Sequence, residues 1–273
     1  MNYRHAYHAG NHTEVFKHAA LTMLLDHLRL KSKPFVVLDT HSGIGYYDLQ
    51  SAEALKTQEW EEGVGRIFEK PLSSAPTYSE LLKALNPDGL ALYPGSPEII
   101  SRSLRPGDRL IANELHPDDF DLLSIRYRRL PGVQVQNRDG YEAINATVPP
   151  SERRGLVFVD PPFEKTDEAK AMCRALAKGL KKWSTGIFCL WYPVKTSLIG
   201  DTLAEYAAEH DFPDTIRADF LAYPSDGSSL AGGGLLICNA PWKFDEKLSQ
   251  LCEELKPAFK GSSYSVSWVI QPK

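Results

Sequence analysis

Short, nearly uninterrupted apolar runs alternate along this chain with longer stretches in which apolar residues return every three or four positions. Residues 35–39, 110–114, 155–160 and 186–192 are runs of the first kind, and Val133-Gln134-Val135 is a weaker one. Runs without polar alternation suit strands covered on both faces. Between them, His116-Pro117-Asp118 opens a helix with Phe120, Leu123, Tyr127 and Leu130 on one face. Residues 165–183 likewise place Ala169, Met172, Cys173, Leu176, Leu180 and Trp183 at helical spacing. Strand–helix alternation of this kind predicts an α/β fold with a parallel sheet wrapped by helices.

Three segments depart from that rhythm. Residues 11–30 predict an N-terminal helix with Val15, Ala19, Thr22 and Met23 facing inward. The interval 47–94, between the first and second strands, is too long for one crossover helix. Its Leu55, Trp60, Val64, Ile67, Phe68, Leu81, Leu82 and Leu85 predict a small helical insertion subdomain, with residues 1–46 and 95–273 forming the main domain. Towards the end, strands at 216–221 and 235–238 flank Gly232-Gly233-Gly234, which is expected to be the turn of an antiparallel pair at one edge of the sheet.

Composition narrows the class. Hydrophobic residues make up 42% and charged residues 24%, which excludes disorder. No apolar run reaches membrane-spanning length, and the opening residues lack the apolar stretch of a secretory signal, so a cytoplasmic location and no membrane partner are expected. Cys173, Cys189, Cys238 and Cys252 are scattered among apolar residues, as buried free thiols would be. The net charge is −4, whereas a protein that binds nucleic acid mainly through phosphates should be basic. Any such contact must come from local patches such as Arg126-Tyr127-Arg128-Arg129, Arg153-Arg154 or Lys178 with Lys181-Lys182, unless these are solvated helix faces.

Ligands of open α/β sheets bind beyond the carboxyl ends of the strands, so the chemistry is sought there. The first strand ends in Asp39-Thr40-His41-Ser42-Gly43-Ile44-Gly45. Gly43 lets the backbone approach a nucleotide-like ligand, although a tight turn without a ligand has the same appearance. Glu114, ending the second strand, can accept both ribose hydroxyls of a nucleoside or cap the following helix. Arg138-Asp139-Gly140 follows the third; Asp139 suits the exocyclic amine of a cofactor adenine, or ordinary turn chemistry. Asp160-Pro161-Pro162-Phe163 follows the fourth and is the most informative. Asp160 and the Pro161 carbonyl can accept both N–H groups of an aromatic amine, directing its lone pair towards a methyl donor, and Phe163 can stack on the base. Such a base must arrive flipped or unpaired. After the fifth strand, Tyr192 and Lys195 are candidates to face the substrate, with Trp191 assigned to the core.

The N-terminal residues 3–12 are rich in histidine and aromatics. They suit an arm gripping RNA through Tyr3, Arg4 and Tyr7 and leading into a helix whose Lys17 and His18 approach the cofactor. A metal site from His5, His8, His12 and His18 has no Cys or carboxylate cluster to support it, and a frayed terminus without a role is the third possibility.

The opening Tyr-Arg-His-x-x-His-Ala-Gly-Asn-His of residues 3–12, followed by Lys17-His18, resembles the RlmJ family of bacterial large-subunit ribosomal RNA adenine-N6 methyltransferases. So do Leu38-Asp39-Thr40-His41-x-Gly43-x-Gly45, Tyr93-Pro94-Gly95-Ser96-Pro97, Glu114-Leu115-His116-Pro117, Arg153-Arg154-Gly155-Leu156, Asp160-Pro161-Pro162-Phe163, Leu190-Trp191-Tyr192-Pro193-Val194, Pro241-Trp242-Lys243 and Val266-Ser267-Trp268. The resemblance implies a Rossmann-like class I S-adenosylmethionine-dependent methyltransferase sheet with a helical insertion. It implies that S-adenosylmethionine contacts His18, His41, Ser96, Glu114, Asp139, Gly140 and Asp160, with Asp160 also catalytic and Tyr3 on the RNA. Ser96 enters only through the resemblance. Phe163 stands where some members have Tyr, and residues 224–234 differ from relatives.

The reaction expected is direct in-line methyl transfer to N6 of a specific adenine in 23S ribosomal RNA, with S-adenosyl-L-homocysteine as product and no metal. Protein-free or early-assembly RNA is the expected substrate and a monomer the expected state. The alternative is a DNA adenine-N6 or cytosine-N4 methyltransferase, against which the lack of a separate basic DNA-reading domain weighs. A nicotinamide dehydrogenase is disfavoured by the incomplete glycine fingerprint, and a silent RNA-binding module by the acidic charge balance and the intact Asp160 loop.

Overall fold

The runs read as strands assemble side by side in a computed structural model that describes residues 5–165 and 167–272. The strands are β1 (Val36–Asp39), β2 (Tyr46–Asp48), β3 (Leu92–Pro94), β4 (Arg109–Asn113), β5 (Val133–Gln136), β6 (Gly155–Val159), β7 (Ile187–Val194), β8 (Thr215–Leu221), β9 (Gly232–Cys238) and β10 (Ser263–Ile270). The helices are α1 (His12–Arg29), α2 (Ala52–Thr57), α3 (Val64–Ile67), α4 (Pro76–Leu85), α5 (Ser96–Ser103), α6 (Pro117–Tyr127), α7 (Gly140–Thr147), α8 (Glu168–Lys182), α9 (Leu198–Glu209) and α10 (Phe244–Leu255).

Among the described residues, one sheet runs in the order β10-β8-β9-β7-β6-β1-β4-β5, and β2 pairs separately with β3. Strands β5, β4, β1, β6 and β7 are parallel, while β9 is antiparallel to both β7 and β8, and β10 is antiparallel to β8. This is a doubly wound, Rossmann-like sheet with an antiparallel extension. Side chains alternate across it. Val37, Leu156 and Cys189 join one apolar core with α1, α4, α5, α6 and α10, whereas Val36, Leu38 and Val157 join the other with α7, α8 and α9. The inner parallel strands are nearly all apolar because both faces are covered, whereas β5 at the edge carries Gln134 and Gln136.

Several expectations change. Gly232, Gly233 and Gly234 are not a turn but the start of β9. A Cβ on Gly232 would stand 2.0 Å from the Phe220 carbonyl oxygen, and one on Gly234 would stand 2.2 Å from the Tyr192 ring. These glycines are therefore close-approach positions within the sheet, and residues 222–231 make the connection. Nor is the β8–β9 pair the edge, because β10 pairs outside β8. Leu130 lies beyond the end of α6 and is exposed. Helix α1 is buried from His12 through Leu25 rather than on one face, as a helix enclosed on all sides must be. The interval 47–94 holds three short helices and the β2–β3 ribbon; its Val64, Ile67, Tyr78, Leu82 and Tyr93 pack in the same core as α1.

Candidate active site

The strand order turns back between β1 and β6, since β4 and β5 lie to one side and β7 to the other. Such a switch point opens a crevice at the carboxyl ends of the two strands. A cavity of about 320 Å³ sits there, lined among others by His18, His41, Gly43, Ser96, Glu114, Asp139, Gly140, Asp160 and Pro161, within the roughly 300–1,000 Å³ of small-molecule sites.

The β1 end supplies the floor. Asp39 is fully buried; its Oδ2 accepts the Ser96 hydroxyl at 2.7 Å, while Oδ1 has no partner among the described residues. Burial pushes its carboxyl up to about 7. The chain then turns through Gly43 (φ 59°) and Gly45 (φ 98°), a left-handed conformation that glycine adopts without strain. A Cβ at Gly43 would meet the Tyr47 hydroxyl at 2.3 Å, and one at Gly140 would meet the His41 ring at 2.6 Å. His41, with Nδ1 2.8 Å from Thr40 Oγ1, is lowered by burial to about 4 and so is neutral.

Glu114 does not cap α6 directly but binds the backbone on either side of the crevice. Its Oε1 accepts from His116 N–H at 2.8 Å where α6 begins, and its Oε2 accepts from Gly43 N–H at 2.8 Å. It thereby ties the glycine loop to the next helix while lining the cavity. Asp139 caps α7 through Oδ1, which accepts from Tyr141 N–H (2.9 Å) and Glu142 N–H (3.1 Å). His18 Nδ1 lies 2.9 Å from the Tyr93 hydroxyl, and burial lowers the ring to about 3.

Asp160 follows β6 and meets a cation from the first helix. Lys17 Nζ lies 2.5 Å from its Oδ2 and also pairs with Glu14, whose Oε2 is 2.8 Å from His5 Nε2. Burial raises the Asp160 carboxyl and Lys17 acts against that rise. Burial disfavours the Lys17 ammonium, but Asp160 and Glu14 outweigh it and hold the group above its ordinary range. Glu14 overcomes its own burial through His5 and Lys17 and stays well below the usual carboxylate range. A buried cation between two carboxylates is tolerable only because each charge has a partner. The sequence placed Lys17 near the site but not its partners; Glu14 carried no signal, because nothing local shows that α1 is enclosed.

The β7 assignments reverse. Tyr192 is fully buried in the far core, its hydroxyl donating to Asp219 Oδ1 at 2.5 Å. Trp191, one residue earlier and so on the other face, stands beside the site, with Lys17 Nζ 5.1 Å from its ring centroid. Phe163 has φ 51° and packs edge-to-face on Trp191 at 5.9 Å, outside the cavity lining. Lys195 is exposed just past the end of β7.

The N-terminal segment is held by other parts of the chain. His8 Nδ1 is 3.0 Å from Glu59, the Asn11 amide donates to Glu59 at 3.0 Å, and Thr57 Oγ1 donates to the Tyr7 carbonyl at 2.5 Å. Tyr3 and Arg4 lie outside the described residues. No cluster of three or more His, Cys, Asp or Glu side chains is arranged for a metal among the described residues. The basic patches serve structure in part. Arg126 donates to the Ile44 and Tyr46 carbonyls, Arg154 to those of Lys33 and Leu28, and Lys182 to that of Asn145. All four cysteines are free and buried, and no described helix is long and apolar enough to cross a membrane.

The charge of the cavity restricts its ligand. Glu114, Asp119, Asp139, Asp160, Glu164 and Glu168 line it, against the single lysine Lys165, the His5 and His116 rings and the buried neutral rings of His18 and His41. An anionic wall repels pyrophosphate and favours a cation with hydroxyl and amine donors.

Residues 32–270 match the family model described as RsmJ, Ribosomal RNA large subunit methyltransferase D, RlmJ. Two relatives named Ribosomal RNA large subunit methyltransferase J, from Haemophilus influenzae and Escherichia coli K12, are each 35% identical over 278 residues. The alignments cover 98% and 99% of this chain and 99% of each relative. A crystal structure of a Legionella pneumophila protein matches with a TM-score of 0.89 at 34% identity, covering 96% of this chain and 98% of that one. With the sheet order, the switch-point cavity and the loop after β6 in place, the chain belongs to the RlmJ family of ribosomal RNA large subunit methyltransferases.

Proposed function

We propose that this protein methylates N6 of a specific adenine in 23S ribosomal RNA, using S-adenosylmethionine and releasing S-adenosyl-L-homocysteine. The observation that carries the reading is the Asp160 carboxylate on the wall of an acidic switch-point cavity, paired from behind the wall with the buried Lys17. The residues present fit the cofactor: Glu114, Asp139 and Asp160 bring carboxylates to the cavity wall, and Gly43 and Gly140 bring backbone to it at positions where a Cβ would collide with Tyr47 or His41. Glu114 would hold the ribose hydroxyls, Asp139 the adenine amine, and Gly43, Gly140, Ser96, His18 and His41 would shape the walls. When bound, S-adenosylmethionine supplies an electrophilic methyl carbon on a sulfonium, whose positive charge the acidic lining favours.

The chain's own residues orient the amine. Lys17 favours the anionic form of Asp160 against its burial, and the carboxylate accepts one amine N–H while the Pro161 carbonyl accepts the other. Neither Pro161 nor Pro162 has a backbone N–H to compete. The amine nitrogen becomes acidic as its new bond forms, and Asp160 then receives the proton, so no strong base is required beforehand. Catalysis is thus largely orientation and electrostatics. Phe163 flanks the loop as the stacking ring for a flipped or unpaired base. Tyr3 and Arg4 are proposed to contact the RNA. A monomer acting in the cytoplasm on protein-free or early-assembly RNA is part of this proposal.

The test is incubation with labelled S-adenosylmethionine and either protein-free large-subunit RNA or duplex DNA, followed by digestion to nucleosides. N6-methyladenosine from the RNA is expected, and label confined to DNA would transfer the activity to the alternative substrate. In Asp160→Asn the product should fall by at least about 100-fold, with calorimetric cofactor affinity within about threefold of wild type. Full turnover in that variant would refute the assignment.

A further inference from the structure

Trp191 stands beside the Asp160 loop, between the Lys17 ammonium and the Phe163 ring. Its indole Nε1 is buried without an acceptor among the described residues. One face carries the Lys17 ammonium at 5.1 Å, and the Phe163 ring packs against it at 5.9 Å with an interplanar angle of 77°. Space for the indole exists only because residue 233 is glycine: a Cβ there would stand 2.7 Å from Nε1 and 3.2 Å from Thr13 Cβ. The unpaired N–H is shared with Trp60 and Trp183; what sets Trp191 apart is that its ring meets both the cation paired with Asp160 and the aromatic residue that ends the Asp160 loop.

Those faces touch both groups on which Asp160 depends. Lys17 is a long, flexible side chain, and a π face opposite its carboxylates limits where the ammonium can sit. Phe163 is a non-glycine residue at φ 51°, a conformation that persists only when its surroundings enforce it. The edge-to-face contact with Trp191 is the one ring contact of Phe163 among the described residues. Trp191 itself is absent from the cavity lining.

We propose that Trp191 is the positioning residue of the amine-binding half of the site, its indole fixing the Lys17 ammonium against Asp160 and bracing Phe163 for stacking on the base. This rests on the reading of the Asp160 loop as the site of methyl acceptance. Trp191 acts through its neighbours and does not touch the reacting atoms.

A pH profile distinguishes that role from simple packing. The titratable groups facing Asp160 are Lys17 and Glu14 from α1, His5 from the N-terminal segment, Asp39 from β1 and Cys189 from β7. Of these, Lys17 is the cation paired directly with Asp160. If the ammonium loses its fixed place, Asp160 protonates more easily and the acid limb of turnover moves to higher pH.

The experiment compares Trp191→Phe, Trp191→Leu and Asp160→Asn in the intact protein, with the product measured on large-subunit RNA. Trp191→Leu is expected to lose about 10- to 100-fold in kcat, with calorimetric affinity for S-adenosyl-L-homocysteine within about twofold and its acid limb displaced upward by at least half a pH unit. Trp191→Phe keeps a π face and is expected within about fivefold of wild type, with the limb in place. A Trp191→Leu protein with wild-type kcat and pH profile overturns the proposal. So does a Trp191→Phe protein as impaired as Trp191→Leu, because the ring face would then be irrelevant. Loss of cofactor affinity in both variants also overturns it, because the residue would then be supporting the fold. Activity retained in Asp160→Asn would instead remove the reading beneath it, whatever Trp191 does.

Discussion

Lys17 illustrates how a single side chain can be indispensable to both fold and chemistry. It lies buried in α1 between Glu14 and Asp160. Lys17→Met would leave two buried carboxylates facing each other without a cation. Breaking a buried pair in this way costs about 3–5 kcal/mol, so the urea midpoint should fall sharply; a midpoint shifted by less than a tenth would contradict the pairing. Glu114→Gln tests a different link. The amide keeps the shape but loses the charge that accepts from Gly43 and His116 and, as proposed, from the ribose. Cofactor affinity should weaken about 10-fold or more; the amide nitrogen cannot accept from one of the two backbone N–H groups, so the melting temperature should also fall, and an unchanged calorimetric dissociation constant would remove the ribose role. At this scale the sequence was most legible where chemistry coincides with a strand end, as at Asp39, Glu114 and Asp160. Ser96 came only by resemblance, since a serine opening a helix signals a cap and not a bond to Asp39. Trp191 and Tyr192 were exchanged because a strand covered on both faces has no polar alternation to reveal which side chain points where.

At the scale of elements, the parallel strands announced themselves and the antiparallel extension did not. Strand β10 alternates exposed serines with half-buried Tyr264, Val266 and Trp268, a period-two signal that a search for uninterrupted apolar runs passes over. The glycines opening β9 resemble a turn because their purpose lies in neighbouring strands. Gly234→Ala therefore makes a sharp test. Its Cβ would press on the Tyr192 ring, which is fully buried and tethered to Asp219. Overpacking of this kind costs about 1–3 kcal/mol, and denaturant unfolding of the variant should show it. A loss below about 0.5 kcal/mol would mean that the ring moves aside freely. The insertion was visible only as an interval too long for one helix; its short pieces are set by contacts with α1 rather than by their own periodicity.

The whole molecule combines two cores with several buried ionisable groups, and this shapes its response to acid. His18, His12 and His41 are lowered to about 3, 4 and 4, chiefly by burial. In the unfolded chain they protonate near 6.5, while the native rings stay neutral. Native stability from these rings is therefore present above about pH 6.5 and is lost as pH falls towards 4, by roughly 1–2 kcal/mol per ring at pH 5. Asp39, raised to about 7 by burial, takes up a proton in the native state first and offsets about one of the three. The net expectation is a urea midpoint that declines steadily from pH 7 to pH 5, and a flat profile would contradict the neutral burial of the imidazoles.

Helix α1 has a consequence in time. It packs against α4, α5, β9 and α10, and its Lys17 meets a carboxylate 143 residues later in the chain. During synthesis it leaves the ribosome well before the strand that covers it, Gly232–Cys238. Until then its buried charges and apolar sides have no enclosure, and loop closure over such distances is slow. A nascent chain therefore holds Asp160 and the glycine loop long before it holds a competent site. The enzyme becomes active as a late, single event, when the end of the chain closes over its beginning.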